Sequence, residues 1–390
     1  MWRTRHFLLA GYLCGCSGIA PPALDGLHNE TDASSMDAEI PSEVGGDSTP
    51  PDGGREASTP NDAGPKLGSD GGGSGDGGGS RPTYPPLVFS TIAHAAKVGG
   101  QFYFTEGPVW DPSKNALFFT DIQAHQGGTT GGAVYKLTLP STFEVLFQPD
   151  GNADGLGLDP DGNLIAAGYG ARSVWRLSGA STMTTLSPCS GGAGSCYQGR
   201  ELNTPDDVTA RSDGTLYVTD PTFGQALASG SLGLANAQGV YRLTTDGVLH
   251  LEEATTGGPN GVNLSPDEKT LYVAYTLLNS VSKFSVAVDG SLSNKTAFAS
   301  ATLADSMCVD AGGNVFVATS SGLAVFDSTG KALGTIAVGG DVVTNCAFGG
   351  ADQTTLFITS HAQGFGTPTA GSSSIYEVDK MPVPGIPGQN

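Results

Sequence analysis

From about residue 86 onward the chain repeats one pattern of polar and apolar positions. A polar residue opens each copy, a short apolar stretch follows, a turn holding Asp or Gly comes next, and an apolar strand-like run closes it. The six copies open at Glu106, Asp154, Asp206, Asn260, Asp305 and Asn345, and their closing runs cover residues 116–121, 164–167, 216–220, 271–274, 315–318 and 356–359. A second short run follows each copy, at residues 133–137, 173–177, 239–243, 280–284, 322–326 and 374–378, mostly alternating at period two as half-buried strands do. Turn residues separate the runs. The interval of about 40–55 residues is that of one four-stranded propeller blade, and no capping repeats of a solenoid are visible. The pattern predicts an all-β chain with a six-bladed β-propeller over residues 86–385.

The first 85 residues lack this pattern. Residues 1–16 carry Arg3 and Arg5 and then a short apolar run, Phe7 to Leu13, too short to span a bilayer. They are expected to be a signal peptide. The run ends in Leu13-Cys14-Gly15-Cys16, which resembles the lipobox of bacterial lipoproteins. Cys16 is the expected lipidation site, giving an exported lipoprotein anchored to a bilayer; ordinary secretion is the alternative. Residues 17–85 are rich in Asp, Gly, Ser and Pro. They cannot bury enough surface to offset chain entropy, and are expected to be a disordered tether.

Composition narrows the function. With 59 Gly and only 14% charged residues among 390, the chain suits short strands and tight turns better than helices. A net charge of −20 argues against nucleic acid as a partner, since binding there depends on Lys and Arg against phosphate. Four cysteines lie beyond residue 16. Cys189 and Cys196 flank a Gly- and Ser-rich loop and are expected to close a small disulfide in an oxidising compartment. Cys308 and Cys346 sit in apolar runs and are expected to be buried free thiols. No Cys-x-x-Cys pair supports a zinc or thioredoxin site.

The innermost strand of each blade lines the axis of a propeller, so equivalent positions in successive blades converge there. The opening residues, Glu106, Asp154, Asp206, Asn260, Asp305 and Asn345, all offer a side-chain oxygen, and four are carboxylates. Two like charges 4 Å apart repel by about 4 kcal/mol at an effective dielectric of 20. Such a cluster either protonates in part or recruits a cation. An all-oxygen set selects calcium, magnesium or manganese. Taken singly, Asp, Asn and Gly at strand entries are also ordinary turn formers.

Over residues 86–385 the sequence resembles the gluconolactonase and senescence-marker-protein (regucalcin)-like propellers. The resemblance rests on Glu106-Gly107-Pro108-Val109-Trp110, Leu202-Asn203-Thr204-Pro205-Asp206-Asp207-Val208, Thr219-Asp220-Pro221, Pro259-Asn260-Gly261, Asp305-Ser306-Met307-Cys308-Val309-Asp310 and Thr344-Asn345-Cys346-Ala347-Phe348. It implies one divalent cation, usually calcium, with zinc or manganese accepted by some members. The implied ligands are Glu106, Asn260 and Asp305. It implies substrate or water contacts for Asp206, where the family has Asn. Blade two often has Asn-Gly, against Asp154-Gly155 here. Mammalian members have a substrate-binding Arg at the position of Thr204, so a different lactone is expected.

The implied reaction is hydrolysis of a lactone, with the cation polarising the carbonyl and Asp305 as general base. Asp206, Asp154 and Asn345 are the expected substrate-side residues, and a monomer is the expected state. No Gly-x-Ser-x-Gly elbow supports a serine hydrolase. His125 and His361 follow strand ends and are expected to be solvated loop residues, with a place at the edge of the pocket as the alternative. The loops 222–238 and 361–371 are expected to set specificity. The rival reading is a non-catalytic surface propeller, stiffened by a cation, that binds a carbohydrate or a protein.

Overall fold

The computed structural model describes residues 82–122, 132–148, 151–178, 182–190, 194–223, 238–339, 341–361 and 371–389. Cys16, the expected signal peptide and His125 lie outside them, as does the expected tether up to residue 81. One compact unit takes in everything from Thr83. Tyr84 already packs on the core there, so the folded part starts slightly before the expected boundary.

Six four-stranded antiparallel sheets follow one another along the chain, with one extra two-stranded hairpin. We number these sheets as blades I to VI. Their innermost strands are Thr105–Asp111, Ala153–Leu158, Val208–Ala210, Pro259–Leu264, Met307–Val309 and Val342–Gly349. Each of these strands touches the innermost strand of the next blade, and that of blade VI touches that of blade I. The ring is therefore closed, and the chain is a six-bladed β-propeller.

Closure uses a strand with no counterpart in the repeats. Ala96–Phe102 forms the outer edge of blade VI, pairing Ala96 with Glu377 and Phe102 with Ser373. Segments from the two ends of the propeller thus share one sheet. The other outermost strands, Thr142–Phe147, Thr182–Leu186, Leu249–Thr255, Leu292–Ser300 and Ala332–Ile336, are also half-exposed to exposed over most of their length.

Six hydrophobic cores fill the six spaces between neighbouring blades. In the strand Ala116–Asp121 of blade I, Phe118 points toward blade II, while Leu117 and Phe119 point toward blade VI. Both faces of such a strand are buried, so its sequence reads as a continuous apolar run. Trp110 stacks on Phe357 across the blade VI–I interface, with ring centroids 5.7 Å apart.

Two disulfides are present among the described residues. Cys189–Cys196 closes the expected small loop. Cys308 and Cys346, expected as free thiols, are instead bonded to each other. They lie on the innermost strands of blades V and VI, which face each other, so two separate apolar runs place their sulfurs together. The bridge joins residues 38 apart in sequence, and replacing both by Ala is expected to lower stability by about 4 kcal/mol. An unfolding midpoint equal to that of the parent chain would contradict this.

The C-terminal segment passes beneath the ring, at the end opposite the strand entries. Gly385 bridges to Asp310 of blade V, and the Met381 N–H donates to Thr354 O of blade VI at 2.8 Å. Gly388 then lies beside the Leu158 side chain of blade II. Blades II and V are opposite members of the ring, so the segment crosses between the ends of their innermost strands.

Candidate active site

Five of the opening residues lie at the start of, or just before, an innermost strand, Asn345 lies midway along its own, and all but the half-buried Asp305 are buried. Three of the interfaces are close because Gly follows the acid or amide. A Cβ on Gly107 would stand 2.7 Å from Leu156 N, one on Gly155 2.7 Å from Asp207 Cα, and one on Gly261 2.5 Å from Ser306 Cα. These glycines admit the neighbouring backbone rather than merely forming turns. Gly261→Ala is therefore expected to destabilise the fold by about 1–3 kcal/mol, read as a lowered unfolding midpoint.

Hydrogen bonds from blade to blade fix the ring. The Gly155 N–H donates to Asp206 O at 2.7 Å, and the Ser306 N–H to Thr344 O at 3.1 Å. Thr120 Oγ1 donates to Asp154 O at 2.9 Å, and Thr344 Oγ1 to Thr105 O at 2.7 Å. Thr219 Oγ1 donates to Asn260 O. Two buried acids at the ends of second strands hold the segments that lead into the ring. Asp121 accepts from the Phe104 N–H at 2.9 Å, and Asp220 from the N–H groups of Asn203 and Thr204, each at 2.8 Å.

The four carboxyls expected at the axis are electrostatically coupled. Burial, then the Asp305 charge, raises the Glu106 carboxyl well above its usual range. Burial, then Asp206, Glu106 and Asp305, does the same to Asp154. Burial and then Glu106 raise Asp206, and burial and then Asp206 raise Asp305. Asn260 and the Ser306 N–H steady the Asp305 charge, and the Asn345 amide favours the charged form of Glu106. The leading charges acting on these four groups are those of neighbouring carboxylates. The buried Nδ2 of Asn345 still has no hydrogen bond of standard geometry among the described residues.

The ring also contains a residue to which the sequence reading gave no role. Asp207 accepts from the Val208 N–H at 2.9 Å, the Val262 N–H at 3.1 Å and Ser306 Oγ at 3.1 Å. It therefore ties blades III, IV and V together. Ser306 Oγ also lies 3.4 Å from Asn260 Oδ1, beside Asp305. Burial pushes Asp207 up to about 7 despite these donors. The doubled Asp206-Asp207 was the only sequence signal for it.

Two further expectations change or sharpen. His361 is not a solvated loop residue: it ends the strand Thr355–His361, is buried, and stacks on Phe104 with centroids 4.6 Å apart. Thr204 is fully buried, and its hydroxyl donates to Pro221 O at 2.8 Å, so it cannot stand in for a substrate-binding Arg. Most of the loops 222–238 and 361–371 lies outside the described residues.

Oxygen donors suit a hard divalent cation, and the mutual repulsion of these buried acids is what a cation would relieve. Glu106, Asn260 and Asp305 fit that role by chemistry. Among the described residues, no three His, Cys, Asp or Glu side chains form a ready-made cage for a metal. The expected set includes only two residues of those types.

The family model described as SMP-30/gluconolactonase/LRE-like region matches residues 104–362. The gluconolactonase of Zymomonas mobilis is 28% identical over 291 residues, covering 68% of this chain and 78% of that protein. The pentonolactonase XacC of Haloferax volcanii is 28% identical over 279 residues, covering 68% and 84%. A solved gluconolactonase from Xanthomonas campestris is 29% identical with a TM-score of 0.62, covering 78% of this chain and 99% of that one. With a family match that spans all six strand entries of the ring, this chain belongs to the SMP-30/gluconolactonase/LRE-like family.

Proposed function

We propose that this chain hydrolyses a lactone at the axis of the propeller and depends on one divalent cation, calcium before manganese, magnesium or zinc. The observation that carries this is the set of four carboxyls, Glu106, Asp154 and Asp206 buried and Asp305 half-buried, each raised by burial and by the negative charge of its neighbours. Membership of a family that includes gluconolactonases and a pentonolactonase supports the reaction class. Glu106, Asn260 and Asp305 would hold the cation. When bound, it polarises the lactone carbonyl and stabilises the negative charge that develops on its oxygen.

The side chains supply the rest. Water adds to the carbonyl carbon, the ring C–O bond breaks, and the product is an open hydroxy acid. Asp305 takes the proton from the attacking water and returns it to the departing ring oxygen. Burial and the Asp206 charge raise its proton affinity, which suits a general base. Asp154 and Asp206 orient substrate hydroxyls or water, and the Asn345 Nδ2 is a buried donor for a substrate oxygen. Proton release from a panel of sugar and aliphatic lactones tests the reading. Turnover is expected with calcium present and is expected to vanish after chelation. Full turnover in chelated protein would refute the cation, and binding of a lactone without turnover would favour the non-catalytic propeller.

Export belongs to the same reading, with Cys16 as the lipid anchor. The disulfides Cys189–Cys196 and Cys308–Cys346 support it, because such bonds persist in oxidising compartments.

A further inference from the structure

Among the described residues, the large apolar side chains left open to water are Val88, Val145, Val248, Leu277, Leu278 and Val288. Only Leu277 and Leu278 of these adjoin each other, 45% and 56% exposed. They lie on the short turn Thr276–Leu278 between the second and third strands of blade IV. Pro259 pairs with Tyr275, so this turn stands at the same end of the blade as Asn260. Val288 follows the other end of the third strand, because it is Ser280 that pairs with Tyr275.

Hydrogen bonds tie the turn to the segments that lead into two of the proposed ligands. The Thr276 N–H donates to Gly258 O at 3.0 Å and the Leu277 N–H to Gly257 O at 3.1 Å, just ahead of Asn260. Thr276 Oγ1 donates at 2.7 Å to the carbonyl of Ala304, the residue before Asp305. A Cβ on Gly258 would stand 2.9 Å from Leu277 Cγ and 3.0 Å from the ring of the half-buried Phe223. Both side chains therefore lie against the approach to Asn260. The approach to Glu106 has a similar character: Phe104, two residues earlier, is half-buried and stacks on His361.

A turn that only reverses the chain is served by Gly, Asn, Asp or Ser and has no need of paired leucines. The hydroxyls of a sugar ring gain nothing from such a surface, whereas a hydrocarbon group gains by leaving water. We infer that Leu277, Leu278 and Phe223 form an apolar wall beside the site and take the hydrocarbon tail of an alkyl-substituted lactone. This rests on the reading of lactone hydrolysis given above and names the substrate class of that same site.

Steady-state hydrolysis of γ-decalactone and of γ-butyrolactone by the full chain in calcium chloride tests it. The parent is expected to favour γ-decalactone in kcat/KM by at least tenfold. Leu277→Ser with Leu278→Ser should lower that ratio at least tenfold. Leu277→Met with Leu278→Met should keep it, as should Val288→Ser at the other end of the blade. Circular dichroism confirms that each variant is folded. A parent without the preference, or a preference that survives the double serine variant, overturns the wall and leaves hydrolysis standing. Absence of turnover with any lactone overturns the hydrolytic reading instead. Calorimetric binding of γ-decalactone then decides the wall: at least tenfold weaker binding to the serine variant upholds it, and equal or undetectable binding to both chains overturns it.

Discussion

Asp305→Asn is expected to lower kcat for lactone hydrolysis by about a thousandfold or more, the scale of losing the proposed general base that also holds charge. Glu106→Gln is expected to fall comparably. Both replacements keep the shape of the side chain and remove its charge. Glu106 and Asp305 each raise the other's or a neighbour's proton affinity, so removing either charge relieves repulsion. The cation-free variants should therefore unfold at the same temperature as the parent or higher, even though they are inactive. This pairing separates a chemical role from damage to the fold. Wild-type kcat in both variants would exclude the proposed site, and a collapse in unfolding temperature would point to a structural role instead.

The second large effect is on stability against pH. Burial raises the folded-state pKa of Asp207 and Asp220 to about 7, and pushes Glu106, Asp154, Asp206 and Asp305 upward as well. In the unfolded chain these groups titrate near 4. Below that pH both states are protonated and there is no penalty. As pH rises toward 7 the unfolded chain sheds its protons first, so the cation-free fold loses stability, fully so above the folded-state values. The loss is on the order of several kcal/mol, or about 10 °C in unfolding temperature between pH 5 and pH 8. Saturating calcium at pH 8 should restore most of it. An unfolding temperature that rises across this range would show that the acids do not repel one another in the folded chain.

Much of the architecture was legible because three strands of every blade carry strong local signals. The innermost strands open on an oxygen-bearing residue, and the next two carry apolar side chains into inter-blade cores. The outermost strands were not legible. A strand such as Thr142–Phe147 is largely exposed, and its residues need satisfy only its backbone pairing. Nor was the closing strand Ala96–Phe102, whose partner lies almost at the other end of the chain. The six strand-entry positions proposed for the site were picked out through their shared place in the repeat. Asp207 was missed because its partners, Val262 and Ser306, come from two other blades. The Cys308–Cys346 bond was missed for the same reason, since only the ring brings those two strands together.

Residues 381–389 strap together blades that are not neighbours. They run from blade VI past Asp310 of blade V to Leu158 of blade II, at the ends of the innermost strands away from the acids. Blades that share no core are thus held through one segment, and deleting it is expected to lower the unfolding midpoint while every strand pairing of the ring stays in place.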